Sequence, residues 1–466
     1  MKWFHVLLSI LCVCPLQAID SLVLQYNDFM GQVVEHHPIS VQVSLIDRES
    51  DAYEMKARGE FDPKIEVNYD HKSYDDKNYY SRLNGVLKVP VWFGPEFKMG
   101  YENTEGVFLN PSENLPPNGL INPGISLPIG RGLMFDQRRK IMEESRIIRQ
   151  ENEIKQIQLL NQVLYEASIS YLDWQIGFER LAVQEEAIRT AETLYNNTVA
   201  AFQNGDRPAI DTLEALIALK TRQQDMVAFR QEYEKSRFKL NNFLWLDGQI
   251  PLELDSMVYP EPSDIQLLLR PITEISVQLD EILMNHPALR KYDLIEKQLI
   301  LDKRIGNERL KPQLDLRFNP LVQPFPDAST LGYNPGDYKV GFDFSYPLFT
   351  RKERANMKLI DIDRQQNSYD ASQAEVKLKN LLNTYNMQEG TINDQLNLIS
   401  ENIVNSRRLL QAEYDKFDMG ESSIFLINSR ESKLFELMIY RLNILGYLME
   451  NRFNFMLTSQ EWHEFH

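Results

Sequence analysis

The residues of this chain that could carry chemistry are few and widely separated. Its seven histidines are scattered, and its two cysteines, Cys12 and Cys14, lie close to the first residue. No G-x-S-x-G, H-E-x-x-H or P-loop pattern is present. The adjacent His36 and His37 precede Pro38, which is typical of a loop or a helix end. We therefore expect no catalytic residues, no metal site, no cofactor and no enzymatic activity.

The net charge and the first residues further restrict the kinds of protein that this chain could be. The formal net charge is −17, which argues against nucleic acid as a partner because phosphate binding needs a basic surface. Lys2, an apolar run over 6–13 and the small Ala18 predict a secretory signal peptide over residues 1–18. No later stretch approaches the roughly 18 to 20 apolar residues of a membrane-spanning helix. The exported chain is then either soluble beyond the inner membrane or an outer-membrane β-barrel.

Two long segments must position the rest of the chain. Residues 137–202 and 351–417 lack proline and have little glycine, and apolar or small residues recur in both at three-, four- and seven-residue steps. The first stripe contains Leu160, Val163, Ala167, Trp174, Leu181, Ile188, Ala191, Tyr195 and Phe202, and the second contains Leu378, Leu381, Tyr385, Ile392, Ile399, Ile403, Leu410, Tyr414 and Phe417. Such stripes predict helices packed in coiled-coil fashion. At about 1.5 Å per residue, each helix would be roughly 100 Å long.

Each long helix is expected to end in a short turn. The turns are Phe202-Gln-Asn-Gly205 and Phe417-Asp-Met-Gly420, and further helices are predicted over 209–245 and 424–458. Glycine after the last turn of a helix commonly adopts the left-handed conformation that ends it. Helix termination is therefore the simplest interpretation of both glycines.

Alternating apolar and polar residues lie between the helices. In 64–70, the apolar Ile65, Val67 and Tyr69 alternate with polar neighbours, and the same pattern recurs over 314–319 and 342–346. A period of two predicts strands with one apolar and one polar face. Such strands fit either a half-buried sheet edge in a soluble protein or a barrel wall between lipid and a watery lumen. Only two to four are predicted in each half, too few for a barrel made by one chain.

The two halves of the chain repeat one plan. The first half contains His37-Pro38, Leu45-Ile46 and Pro63, and the second contains His286-Pro287, Leu294-Ile295 and Pro312 at the same spacing. Each half begins with a predicted helix, over 21–58 and 275–309. We predict a first structural repeat over 19–246, a connector over 247–274 and a second repeat over 275–466. The first half has about 30 extra residues, and its segment 82–101 fits either another hairpin or a plug-like loop.

With this order of helix, strand pair, long helix, turn and helix used twice, the chain resembles the TolC-like outer-membrane export channels, or outer membrane factors. The resemblance covers nearly all of the mature chain. Its local signatures are His286-Pro-Ala-Leu289, Lys311-Pro-Gln-Leu314, Tyr346-Pro-Leu-Phe349 and the two Phe-x-x-Gly turns. It implies a mainly α fold with a small β part: an α-helical barrel of long coiled-coil helices joined to transmembrane β-barrel strands. It further implies a homotrimer in which each chain gives four strands.

The resemblance also implies a function and a location. Such a channel would be a passive duct in outer-membrane lipid with a long periplasmic part. It would work with an inner-membrane pump and a periplasmic adaptor protein, in efflux or in type I secretion. The alternative class is a structural, tethering coiled-coil protein of the cell envelope without a pore. Alternating strands between the helices of both halves favour the duct, because a tether does not need them.

In this family the turns lie at the periplasmic tip, where the adaptor docks. The resemblance therefore marks as docking residues Asn204, Gly205, Asp206, Met419, Gly420 and Glu421. Asp211 lies six residues after Gly205, where TolC has an acidic gate residue. The simpler interpretation of Asp211 is a solvated carboxylate in the first turn of a helix, which the helix dipole favours.

The rest of the gate departs from the family pattern. Phe417 and Ser422 replace a tyrosine and an arginine of the TolC gate, and the acidic ring falls on Leu426 and Ser429. Closure would then depend on packing around Phe202 and Phe417, with Asp211 and Leu426 as further candidate gate residues. Both phenylalanines also fit as ordinary stripe residues in helix packing.

Overall fold

A computed structural model describes residues 23–261, 271–272, 279–323, 332–460 and 462. The predicted signal peptide and part of the predicted connector lie outside these residues. The described part is mainly helical and has a smaller share of strand, as the sequence predicts. None of its helices is long and apolar enough to cross a membrane.

Eight α-helices are described, four in each half of the sequence. They are α1 (Tyr26–His36), α2 (Pro38–Arg58), α3 (Gln137–Gln203), α4 (Ala209–Leu240), α5 (Leu279–Asn285), α6 (Pro287–Arg309), α7 (Arg351–Asp418) and α8 (Ile424–Ser459). The long helices α3 and α7 have 67 and 68 residues and begin and end within one residue of the predicted bounds. The helix predicted to reach residue 245 ends at Leu240, because a short 3-10 turn, Asn241–Phe243, follows it.

Each predicted opening helix is in fact two helices, separated at a His-Pro pair. Proline at the first helical position fixes the backbone for the new helix. The Nδ1 atom of His37 accepts a hydrogen bond from the Ile39 N–H at 3.2 Å, and His286 Nδ1 accepts one from Ala288 at 3.1 Å. Both histidines thus satisfy a free N–H group of the following helix. This confirms the interpretation of His37 as a helix-end residue.

Six strands form one antiparallel sheet. They are β1 (Lys64–Tyr74), β2 (Lys77–Pro90), β3 (Glu96–Glu105), β4 (Leu120–Pro128), β5 (Gln313–Gln323) and β6 (Gly332–Ser345). Their order is β6-β5-β4-β3-β2-β1. The expectation of four strands per chain is therefore wrong. The extra residues 82–101 form most of β2 and β3, the additional hairpin rather than a plug, because their alternation matches the register of the neighbouring strands.

The sheet has one apolar and one polar face. Paired residues and alternate residues of a strand point to the same side. The apolar face includes Ile65, Val67, Tyr69, Leu83, Leu87, Val89, Phe97, Met99, Tyr101, Ile121, Ile125, Leu127, Leu314, Leu316, Phe318, Val322, Val340, Phe342 and Phe344. The polar face includes Lys64, Glu66, Asn68, Asp70, Arg82, Asn84, Lys88, Lys98, Glu102, Thr104, Asn122, Ser126, Asp315, Arg317, Asn319, Lys339 and Asp343.

The chain divides into two compact units. The strand unit comprises Val41–Asn161, Gln278–Leu382 and Ser459–His466, and the turn unit comprises Met1–Ser40, Gln162–Val277 and Asn383–Thr458. Part of the core of the strand unit is a cluster of Phe135, Ile147, Ile154, Leu294, Leu301 and Ile305. Two-residue strands of the turn unit pair Val23–Leu24 with Tyr259–Pro260 and Trp245–Leu246 with Ile250–Pro251. The division into two repeats remains an interpretation of the sequence.

Candidate docking turns and gate

The two predicted turns have the same backbone geometry. In the first, Gly205 N–H donates to Phe202 O at 3.0 Å and Asp206 N–H to Ala201 O at 2.9 Å. In the second, Gly420 N–H donates to Phe417 O at 3.0 Å and Glu421 N–H to Lys416 O at 2.9 Å. These are Schellman motifs, in which a residue at positive φ ends the helix. Gly205 and Gly420 have φ of 82° and 79°, which confirms that both glycines end helices.

The six residues predicted to dock an adaptor are all exposed. Met419, with 70% of its surface exposed, is the most apolar of them. Asp206 and Glu421 follow the glycines at matching positions and place one carboxylate in each turn. Added Cβ atoms at Gly205 and Gly420 would meet nothing within 4 Å. The turns therefore offer open, weakly acidic surface.

Arg207 joins the first turn to the second. Its Nη2 atom donates to the Phe417 carbonyl oxygen at 3.2 Å, and its guanidinium lies 4.0 Å from the centroid of the Phe417 ring. A guanidinium over an aromatic face is attracted by the negative charge of the ring face. Nothing in the sequence distinguishes Arg207, because a single arginine after a turn resembles any solvated residue.

The two candidate gate phenylalanines have different environments. Phe417 packs on the core cluster of Leu194, Ala215, Ile424 and Ile427, as a stripe residue does. Phe202 is 44% exposed. Asp211 lies in the first turn of α4 and is partly exposed, and Leu426 is 37% exposed in the first turn of α8. Phe417 thus takes part in the packing of this chain, while nearly half of the surface of Phe202 is open to contact with another molecule.

A buried polar cluster in the turn unit links four helices. Arg222 Nη2 in α4 lies 2.7 Å from Glu431 Oε2 in α8, and both side chains are almost completely buried. Arg222 Nη1 also donates to the Ala187 carbonyl of α3 at 2.8 Å. The Tyr414 hydroxyl of α7 donates to Glu431 Oε1. Burial and the nearby Glu431 carboxylate raise the pKa of Tyr414, so its hydroxyl stays protonated and keeps donating.

This cluster could have been found from the apolar stripes. Arg222 falls in the series Ala215, Leu219, Arg222, Met226, and Glu431 falls in the series Ile424, Ile427, Glu431, Leu434, at steps of three and four. A charged residue at a stripe position is buried with its neighbours and needs a partner. The sequence signal for a buried ion pair is therefore one arginine in the first stripe and one glutamate in the second. It does not give the pairing, which depends on how the helices meet.

Ser422, where the TolC gate has an arginine, has a local role here. Its hydroxyl donates to Glu413 Oε1 at 2.5 Å, and Arg430 Nε lies 3.6 Å from Glu413 Oε2. The Ser422 hydrogen bond and the Arg430 charge hold the pKa of Glu413 below its usual value. These contacts tie the end of α7 to the start of α8. No group of three or more metal-ligating side chains occurs among the described residues.

Several solved channel structures are similar to this chain. CusC, whose structures concern transmembrane channel formation, matches with a TM-score of 0.65 and 14% identity over 94% of this chain and 93% of that one. The CmeC channel of Campylobacter jejuni matches with a TM-score of 0.62 and 12% identity over 93% and 85%. The open-state MtrE channel of Neisseria gonorrhoeae matches with a TM-score of 0.62 and 13% identity over 93% and 88%. No family model and no curated protein matches the sequence.

The fold is that of the TolC-like channels. The resemblance that the sequence shows is thereby confirmed in the fold, since the match covers nearly the whole chain. In the turn unit, the two Schellman turns and the buried Arg222–Glu431 cluster form the candidate functional site. In the strand unit, the candidate functional element is the six-stranded sheet.

Proposed function

We propose that this protein is a passive exit duct in the bacterial outer membrane. Copies of the chain form a channel that works with an inner-membrane pump and a periplasmic adaptor in efflux or type I secretion. The observation that carries the proposal is the sheet. It combines an exposed apolar face, a charged reverse face and two edge strands that are unpaired on their outer side within the described residues. The chain itself performs no chemistry on its cargo.

The apolar face supports insertion in lipid. Val67 and Phe342, on the two edge strands, are 61% and 70% exposed. Such a broad apolar surface is costly in water, and soluble monomers rarely expose one. A bilayer accepts it, provided that the opposite face meets water. The charged residues of the polar face meet that requirement.

Aromatic residues at one end of the sheet support the same placement. Trp92 and Phe93 follow the end of β2, and Tyr346 and Phe349 follow the end of β6. Because β2 and β6 run in the same direction, all four lie at one end of the sheet. All four are exposed. Aromatic girdles at the lipid–water interface are typical of outer-membrane barrels.

The edges of the sheet support assembly from several copies. β1 and β6 pair on one side only within the described residues, and they run antiparallel to each other. Unpaired backbone groups at membrane depth are costly, so edges must pair. β6 of one copy can continue into β1 of the next. A homotrimer would supply three times six, or eighteen, strands, a number at which barrels enclose an aqueous channel.

Exposed apolar residues of the helices support the same assembly. Ile210, Leu213 and Ile217 form a ridge at steps of three and four on α4, and Met387 and Leu398 are exposed on α7. These residues fit the packing of helices from neighbouring copies. In this assembly, Phe202, Asp211 and Leu426 would face other copies near the turns and narrow the pore. Phe417 would support them through its packing on this chain.

The adaptor docks, in this proposal, at the exposed turns. Asn204, Gly205 and Asp206 form one docking element, and Met419, Gly420 and Glu421 form the other. Charge reversal of both Asp206 and Glu421 to lysine is expected to impair export at unchanged protein level. The reason is that each turn then presents a positive charge where the adaptor would bind a negative one. Asp394→Lys, on an exposed face of α7, is the matched control. Unchanged export in the double variant would refute the docking assignment.

The channel proposal is tested on protein purified from outer membranes in detergent. Its oligomeric mass is measured, followed by its conductance in a planar bilayer. A trimer that raises conductance supports the duct. A helical monomer that never raises conductance would refute the duct and favour the envelope tether.

A further inference from the structure

The connection between β3 and β4, Gly106–Gly119, differs from the other described connection at its end of the sheet. β1 and β2 are joined there by the two residues Asp75 and Asp76, both at positive φ. That is the geometry of a tight hairpin turn. Gly106–Gly119, which we call the inward segment, is much longer and contains the short 3-10 turn Pro111–Glu113.

The inward segment is anchored on the polar face of the sheet. Arg82 in β2 and Thr104 in β3 are directly opposite each other in the ladder, and both point to the polar face. Arg82 Nη2 donates to Glu113 Oε2 at 2.5 Å. The Thr104 hydroxyl donates to the Glu113 carbonyl oxygen. Glu113 is thus held by both its carboxylate and its backbone carbonyl, so the middle of the segment lies over the polar face. The end of the segment is held at the strand edge, where the Tyr101 hydroxyl donates to the Asn118 carbonyl at 3.1 Å.

The inward segment is also stiff. Pro111, Pro116 and Pro117 each fix a backbone angle. At its start, the Phe108 ring packs 4.7 Å from the Tyr79 ring, measured between centroids. The Arg82 guanidinium is itself stacked 4.2 Å from the Tyr80 ring centroid, which orients it toward Glu113. A stiff segment held by an oriented arginine is expected to keep a single conformation.

We propose that the inward segment narrows the exit of the duct and that Arg82 is a specificity-determining residue, because it holds the segment across the lumen. This inference rests on the proposed channel function, in which the polar face lines the lumen. A wall of six strands per copy gives a wide bore, and pore diameter limits which solutes pass. The inward segment reduces that diameter at one end. The Arg82–Glu113 ion pair and the Thr104 hydrogen bond together set the size limit.

The test measures how fast reagents added outside the cell label a cysteine that lies on the polar face, deeper in the lumen than the inward segment. Ser126, near the far end of β4, is paired with Arg317 on that face. Ser126→Cys is combined with Arg82→Ala or Thr104→Val, and intact cells receive a small maleimide dye or a maleimide on a large polyethylene glycol. The cysteines of the sequence lie in the predicted signal peptide. Entry from outside makes the result independent of any closure at the turns.

We expect the large reagent to label Ser126→Cys several-fold faster in both variants than in the parent, while the small dye labels all at similar rates. Lys88→Ala is the matched control. It removes the 2.5 Å ion pair of Lys88 with Glu66 on the same face and leaves the anchors of the inward segment in place. Asp76→Cys, at the β1–β2 turn, reports equal surface expression of every variant.

The outcomes distinguish failure of the constriction proposal from failure of the channel function itself. If the large reagent labels parent, Arg82→Ala and Thr104→Val at the same rate, the inward segment is not a constriction. If neither reagent labels Ser126→Cys in any variant while Asp76→Cys is labelled, the polar face is not a lumen and the channel function fails with the proposal. If one variant does not reach the membrane, the other decides, because each removes a different anchor.

Discussion

The guanidinium of Arg207 lies 4.0 Å from the centroid of the Phe417 ring, and its Nη2 donates to the carbonyl oxygen of the same residue. This one side chain connects the two turns, which are far apart in sequence. It therefore couples two elements that we propose to dock an adaptor. Motion of one turn away from the other must break both interactions.

Arg207→Ala is expected to loosen the second turn without unfolding the protein. A cation–π contact at a partly exposed site contributes about 0.5–1 kcal/mol. Hydrogen exchange of the Gly420 and Glu421 amides should accelerate several-fold, and the melting temperature should change little. Arg189→Ala is the control, because Arg189 is mostly exposed and pairs only weakly with Glu185 at 3.9 Å. Equal exchange in both variants would contradict a coupling role for Arg207.

Removing one partner of the buried Arg222–Glu431 pair is expected to destabilise the turn unit strongly. Arg222→Met leaves the Glu431 carboxylate buried without its cation, at a cost of about 3–5 kcal/mol. The double variant Arg222→Met/Glu431→Leu should recover a large part of that loss, because no buried charge remains. Chemical denaturation measures both. For comparison, Lys239→Ala breaks an exposed pair with Asp173, whose contribution is about 0–1 kcal/mol. A double variant less stable than Arg222→Met would contradict this account.

Alanine at the turn glycines is expected to destabilise through backbone strain alone. Gly205 and Gly420 have positive φ and open space around the position of a Cβ atom. Left-handed backbone costs a residue with a Cβ roughly 1–2 kcal/mol. Gly390 lies within α7 at ordinary helical φ, also with open space, so Gly390→Ala should stabilise by about 1 kcal/mol. In thermal melts, the melting temperature should fall in Gly205→Ala and Gly420→Ala and rise in Gly390→Ala. A change in the same direction in all three variants would refute the assignment.

The two faces of β6 are expected to respond oppositely to a charged side chain. Val340 is on the apolar face and 68% exposed, and Lys339 beside it is on the polar face. Val340→Lys should impair assembly in the outer membrane, since a charge on the lipid face of a barrel costs about 2–4 kcal/mol at the bilayer midplane. Lys339→Glu should assemble normally. The amount of assembled protein in outer-membrane fractions measures both, and normal assembly of Val340→Lys would mean that this face does not meet lipid.

Local signals allowed much of the fold to be predicted from the sequence. Helices α3 and α7 follow from apolar stripes without proline, and their ends follow from Gly205 and Gly420, since the left-handed backbone suits glycine. The predicted opening helices failed at His37 and His286, where a histidine cap and a proline begin a new helix. Strand alternation indicated β1, β5 and β6. The docking and gate residues were chosen by resemblance and remain predictions.

The sequence by itself determined the elements, their two-faced character and the TolC-like fold, because helical and strand periods are local properties of consecutive residues. Only the tertiary structure decided how many strands share the sheet, that Arg222 meets Glu431, that Arg207 reaches Phe417 and that Glu113 lies over the polar face. Each of these depends on a contact between residues distant in sequence. Residues such as Arg207 and Arg82 look solvated until the fold brings their partner within hydrogen-bond distance.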